Sequence, residues 1–191
     1  MERKKLHASD SWGLSIPKLL SGRTRAAPDA IALASPHYAP VTYRQLELQC
    51  RRFVQSLNDF GIGRNDRIAL VIPNGLEMAA AIVAIACGAT CAPLNPAYHA
   101  GEFEFLLSDL NAKALLVMAG ESSPARAVAA ERGIAILELA PASIEGGLFE
   151  LRMAGPPRVA ANSLATGPAQ AEDIALVLHT SGTTCVPSWS C

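Results

Sequence analysis

The 191-residue chain is half hydrophobic, with 5% aromatic residues and a formal net charge of -1. A length and apolar content of this order suit one sizeable core, and the near-neutral balance excludes a whole-molecule field that would gather nucleic acid or an anionic membrane. The apolar residues are chiefly Ala, Leu, Ile and Val, which fits helices laid over buried parallel strands better than an all-β sandwich.

Residues 1–28 read as a lead-in. Arg3, Lys4 and Lys5 make a short solvated start, and Ser11–Leu20 can form a short helix interrupted at Pro17. Ala30–Ala34 is a short apolar strand candidate, and Thr42 opens the clearest helix of the chain. Thr42 with Gln45 three residues later is a capping box, in which the hydroxyl accepts from the first turn and the glutamine reaches back. Leu46, Cys50, Phe53, Val54 and Leu57 recur at helical spacing and predict the buried stripe. Gly61 ends this helix, with Ile62 placed for a Schellman contact.

From Arg67 the pattern alternates. Arg67–Ile72, Ala89–Leu94, Lys113–Met118 and Ile134–Leu139 are apolar strands. Helices are expected over Leu76–Cys87, over Glu102–Leu110 with Phe103, Leu106, Leu107 and Leu110 inward, and from Ser123-Pro124 to Arg132. Strands without polar alternation, each followed by one helix, imply parallel pairing with both faces covered. Right-handed crossovers then give an α/β fold with an open, doubly wound, mostly parallel sheet and flanking helices. Residues 140–172 are rich in Pro, Gly, Ala and Ser and read as a connection with at most one short strand near Leu148–Met153. The pattern resumes at Asp173–Leu178, an apolar strand running into His179.

The cysteines at 50, 87, 91, 185 and 191 form no C-x-x-C pair, and no His lies at metal-ligand spacing from a Cys pair, so no zinc site is indicated. Cys50, Cys87 and Cys91 stand in apolar contexts and read as small core residues; a reducing, cytoplasmic setting follows. The longest apolar run, Met78–Cys87, is shorter than the roughly 20 residues a membrane span needs. Met1–Leu20 lacks the apolar stretch of a signal peptide.

One segment carries chemistry. Thr180, Ser181, Gly182, Thr183 and Thr184 set four hydroxyls around one glycine directly after a buried strand. A phosphate chain needs convergent backbone N–H groups, hydroxyls and a glycine that lets the backbone approach. A strand-to-turn position at the carboxyl edge of a parallel sheet is where such a loop belongs. The spacing does not match G-x-x-x-x-G-K-[ST], and no G-x-G-x-x-G occurs. Taken alone, such a cluster also marks an ordinary turn. His179 reads as a packing residue at the strand end, His99 as lying near a helix start, and Glu102 and Glu104 as a solvated first turn favoured by the helix dipole.

Asp173–Thr184 resembles the phosphate-loop signature of the adenylate-forming superfamily, which includes acyl-CoA synthetases, 4-coumarate–CoA ligases, luciferases and the adenylation domains of peptide synthetases. The upstream stretches Val41–Leu46, Asn65–Leu70, Pro73-Asn74 and Gly88–Pro96 are similar in the same order, so the likeness runs from about Pro28 to Thr184. Ala92–Leu110 and His179 most resemble the acyl-CoA synthetase branch, near its oxalate– and coumarate–CoA ligases. The resemblance implies residues 29–184 as a partial N-terminal domain. It also implies ATP and Mg²⁺ as cofactors, coenzyme A as co-substrate and a small carboxylic acid as the partner of the full-length enzyme. Carried over by position, Thr180, Ser181, Gly182, Thr183 and Thr184 would cradle the β- and γ-phosphates.

The likeness breaks after Thr184. The family continues with a small residue, a variable one, Pro, Lys and Gly. Here Pro187 is in register, but Ser188 stands in the lysine's place and Trp189 in the glycine's. A hydroxyl does not replace the charge-assisted bonds of a cation on polyphosphate. Residues 185–191 are therefore expected to be an aberrant tail. A frameshift would produce it, since TGC-GTC-CCA-AGT for Cys185–Ser188 reads Arg-Pro-Lys from its third base; a gene with no downstream frame encoding the rest of a ligase would exclude that origin. The chain is expected to be catalytically incompetent alone, with a remnant that binds no nucleotide as the alternative.

Overall fold

The computed structural model describes residues 14–36, 38–141, 147–155 and 165–179. Its first helix, α1 (Ile16–Ala26), begins after Ser15 and carries Pro17 in its opening turn, where a missing N–H removes no helical bond. The proline expected to interrupt a helix over Ser11–Leu20 therefore opens a longer one. Leu20 anchors α1 in the core. Strands β1 (Ile31–Ser35) and β2 (Tyr38–Thr42) form a separate antiparallel pair. The second is not legible in the sequence because only Val41 of its five residues is buried.

Helix α2 (Tyr43–Asp59) follows the sequence closely. The Gln45 N–H donates to Thr42 Oγ1 at 3.3 Å, and the Thr42 N–H donates to Gln45 Oε1 at 2.8 Å. The same five stripe residues are buried. At its end the Gly61 N–H donates to the Asn58 carbonyl and the Ile62 N–H to the Leu57 carbonyl, at 2.9 and 2.8 Å. With Gly61 at φ 74°, these are the two bonds of a Schellman motif, and Ile62 is buried beneath it.

The main sheet has five strands: β3 (Arg67–Val71), β4 (Thr90–Pro93), β5 (Ala114–Met118), β6 (Ala135–Pro141) and β7 (Phe149–Met153), in the order β4-β3-β5-β6-β7. The first four are parallel, and β7 runs antiparallel to β6. Helices α3 (Leu76–Ala86), α4 (Ala100–Asp109) and α5 (Pro124–Glu131) make the crossovers. Ile68, Leu70 and Leu116 face a cluster shared with α2 and α3, while Ala69, Val71 and Leu115 face one shared with α4 and α5. Both faces are dry, which is why these strands read as unbroken apolar runs. On β7, Phe149 is buried and meets Phe53 edge-to-face with ring centroids 5.8 Å apart. Glu150, on the other face of β7, is exposed. No helix among the described residues is long and apolar enough to cross a membrane.

Candidate functional site

The chain returns at residue 165 and passes along the outer side of β4. The Ala169 N–H donates to the Cys87 carbonyl at 2.8 Å. Leu176 forms a parallel bridge with Cys91, built from Cys91 N–H to Ala175 O at 3.0 Å and Val177 N–H to Cys91 O at 2.9 Å. The strand expected over Asp173–Leu178 is thus reduced to one bridge. Its side chains give the reason. Ile174, Leu176 and Leu178 are 52%, 44% and 62% exposed, and among the apolar residues of this stretch Val177 alone packs on the core of the α4–α5 face. A segment with one neighbouring strand and one bare face has little burial to extend a ladder.

The start of this segment is held by side chains instead. Arg64 donates to Asp173 twice, Nε to Oδ2 at 2.6 Å and Nη2 to Oδ1 at 3.1 Å. Asn65 spans the same joint, with Nδ2 donating to Asp173 Oδ1 at 2.9 Å and Oδ1 accepting from the Ile174 N–H at 3.1 Å. Asn65 sits at φ 64°, a left-handed conformation that asparagine tolerates better than most side chains. The Gln170 N–H donates to Asp173 Oδ2 at 2.7 Å, the Arg64 N–H to Ala165 O at 2.8 Å, and the buried Thr90 hydroxyl to Ile174 O at 2.7 Å. The Arg64 hydrogen bonds, helped by those from Gln170 and Asn65, outweigh burial and hold the Asp173 carboxyl down at about 2. At the amino ends of β3 and β5, Lys113 pairs with Asp66 at 3.1 Å.

Thr180, Ser181, Gly182, Thr183 and Thr184 lie outside the described residues, as do His37, Cys185 and Cys191. His179, expected to have no carboxylate near it in sequence, is brought by the fold to Asp109, the last residue of α4. Its Nε2 lies 3.8 Å from Asp109 Oδ2 and makes no hydrogen bond. The His179 side chain thus lies beside the carboxyl-terminal end of α4. His99 is the residue before α4, as expected, and its N–H donates to Glu102 at 2.8 Å. Glu104 is solvated as expected, at 65% exposure, and pairs across the surface with Arg132 at 3.3 Å.

Cys50, Cys87 and Cys91 are buried and free. The Cys87 side chain and burial push the Cys50 thiol up, and burial alone pushes Cys91 up to about 12. Neither supplies a thiolate at neutral pH. A cleft of about 440 Å³ between α1 and α2 has Leu20, Cys50, Val54 and Cys87 among its walls, and one of about 380 Å³ lies at the amino ends of β3 and β5 beside Asn65 and Lys113. Residues 174–179 line neither. Among the described residues no group of three His, Cys, Asp or Glu could hold a metal. The Arg64–Asp173 clamp is what sequence reading missed, since its partners are 109 residues apart and no local spacing links the two stretches.

Residues 21–187 match the family model described as AMP-binding enzyme. A probable CoA ligase of Humulus lupulus is 38% identical over 130 residues, covering 66% of this chain and 24% of the relative. An oxalate–CoA ligase of Arabidopsis thaliana is 36% identical over 174 residues, covering 88% of this chain and 33% of the relative. Among solved structures, that of apo MatB from Rhodopseudomonas palustris superposes with a TM-score of 0.67 at 23% identity, covering 90% of this chain and 33% of that one, a likeness of fold. The chain spans a quarter to a third of the length of these relatives.

Proposed function

Because the chain belongs to the AMP-binding enzyme family, we propose that it is the N-terminal portion of an ATP-dependent acid–CoA ligase whose segment Thr180, Ser181, Gly182, Thr183 and Thr184 holds the β- and γ-phosphates of ATP. The observation that carries this reading is the segment Asp173–Val177, which runs parallel to β4 and leads within a few residues into four hydroxyls and a glycine. The names of the two ligase relatives favour coenzyme A as the acyl acceptor over a carrier protein.

In the complete reaction a carboxylate oxygen attacks the ATP α-phosphorus, and the bond to pyrophosphate breaks. The thiol of coenzyme A then attacks the acyl carbon and AMP leaves. The residues of this chain serve the first step only, by orienting the leaving phosphates through hydroxyls and backbone N–H groups. Their donor set fits phosphate oxygens. Mg²⁺ brought in with the nucleotide would offset the charge of those oxygens; among the described residues no group of three His, Cys, Asp or Glu could hold a metal of its own. Unpaired, buried Cys50, Cys87 and Cys91 support a reducing, cytoplasmic setting.

Titration calorimetry with Mg-ATP tests the reading. Weak, saturable binding at millimolar nucleotide is expected, with no thioester formed when coenzyme A and a carboxylic acid are added. Ser188→Lys should tighten that binding by about tenfold, because it returns a cation to the polyphosphate. The second reading, a remnant without nucleotide, is favoured by the exposed Ile174, Leu176 and Leu178 and by Ser188 itself. Absence of heat with both proteins would establish it.

A further inference from the structure

We propose that Arg64, Asn65 and Asp173 are positioning residues that fix the register of the 174–177 segment against β4, and through it the point from which the hydroxyl-rich segment departs. The idea deepens the nucleotide reading above and rests on it for its functional half. Its structural half stands on geometry. Between Asp173 and Leu178 the ladder to β4 is a single bridge, whereas the joint at Asp173 collects five side-chain hydrogen bonds from Arg64, Asn65 and Gln170. A segment with three half-exposed apolar residues gains little from burial, so its placement depends on polar anchoring at one end. The bidentate guanidinium fixes direction as well as distance. Asn65 adds the register, because one amide group touches both the Asp173 carboxylate and the next N–H.

Hydrogen exchange read at single amides tests the clamp, at Cys91 and Val177, whose N–H groups form the bridge. In Asp173→Asn both should exchange faster by about tenfold or more, and in Arg64→Lys by less, since a point charge keeps part of the contact. Glu138→Gln is the control: it weakens a partly buried ion pair, 2.7 Å from Arg126 on the far side of the sheet, and should leave both amides unchanged. Should Asp173→Asn fail to fold, Asn65→Gly keeps the left-handed backbone, removes both amide contacts and carries the same readout. Wild-type exchange at Cys91 and Val177 in Asp173→Asn, or in Asn65→Gly where that variant is needed, would overturn the clamp. Mg-ATP titration supplies the functional half, with affinity expected to fall about tenfold in Asp173→Asn and to hold in Glu138→Gln. A wild-type protein that binds no Mg-ATP sinks the nucleotide reading and leaves the exchange result to decide the clamp. A wild-type protein that binds, with Asp173→Asn binding equally, sinks the positioning role.

Discussion

At Asp173 one carboxylate accepts from two guanidinium nitrogens, a carboxamide and a backbone N–H. A carboxyl held at about 2 in the folded protein and near 3.8 when free contributes stability that is fully present above the free value. That contribution is lost as pH falls through the folded value. The stability gap between wild type and Asp173→Asn should therefore be constant above about pH 5, narrow below about pH 4 and close near pH 2. Urea unfolding at a series of pH values measures it, and a gap that widens on acidification would contradict the assignment. The cysteines make the opposite case. Cys50 and Cys91 are buried with thiols pushed up, so a disulfide reagent at pH 8 should leave them and buried Cys87 unreacted until denaturant is added.

Helix α2 shows what local chemistry specifies on its own. Its cap, its stripe and its Schellman end are each readable within a few residues, and each is present. Thr42→Ala removes the acceptor for the Gln45 N–H and should cost about 1 kcal/mol in denaturant unfolding, with α2 otherwise intact. Strands β3 and β5 were equally legible, because burial on both faces leaves no polar residue to confuse the period. Strand β2 was not, since its exposed Tyr38, Ala39 and Pro40 carry no apolar pattern. Helix α1 lies further along the chain than its sequence suggests, because a proline inside an apolar stretch looks like a break, and its place in the first turn is known only once the helix is seen.

For the molecule as a whole, the consequential feature is the outer edge beyond β4. Ile174, Leu176 and Leu178 expose apolar surface along the segment that flanks β4, which invites association between copies. Leu176→Lys should shift sedimentation of the isolated chain toward monomer while leaving its unfolding midpoint nearly unchanged. Equal self-association in both proteins would place the sticky surface elsewhere. This chain covers a quarter to a third of the length of its ligase relatives.

The amino-acid sequence by itself determined the alternation of strands and helices, the parallel sense of the central sheet, the two buried faces and the family likeness, because all of these are written in spacings of a few residues. Only the tertiary structure decided that β7 returns antiparallel, that His179 comes to rest by Asp109, and that the segment leading to Thr180 is tied down by Arg64 and Asn65. Those outcomes depend on groups that are far apart along the chain and meet after the sheet has closed. A charge pair between distant loops leaves no period in sequence, whereas a buried stripe does.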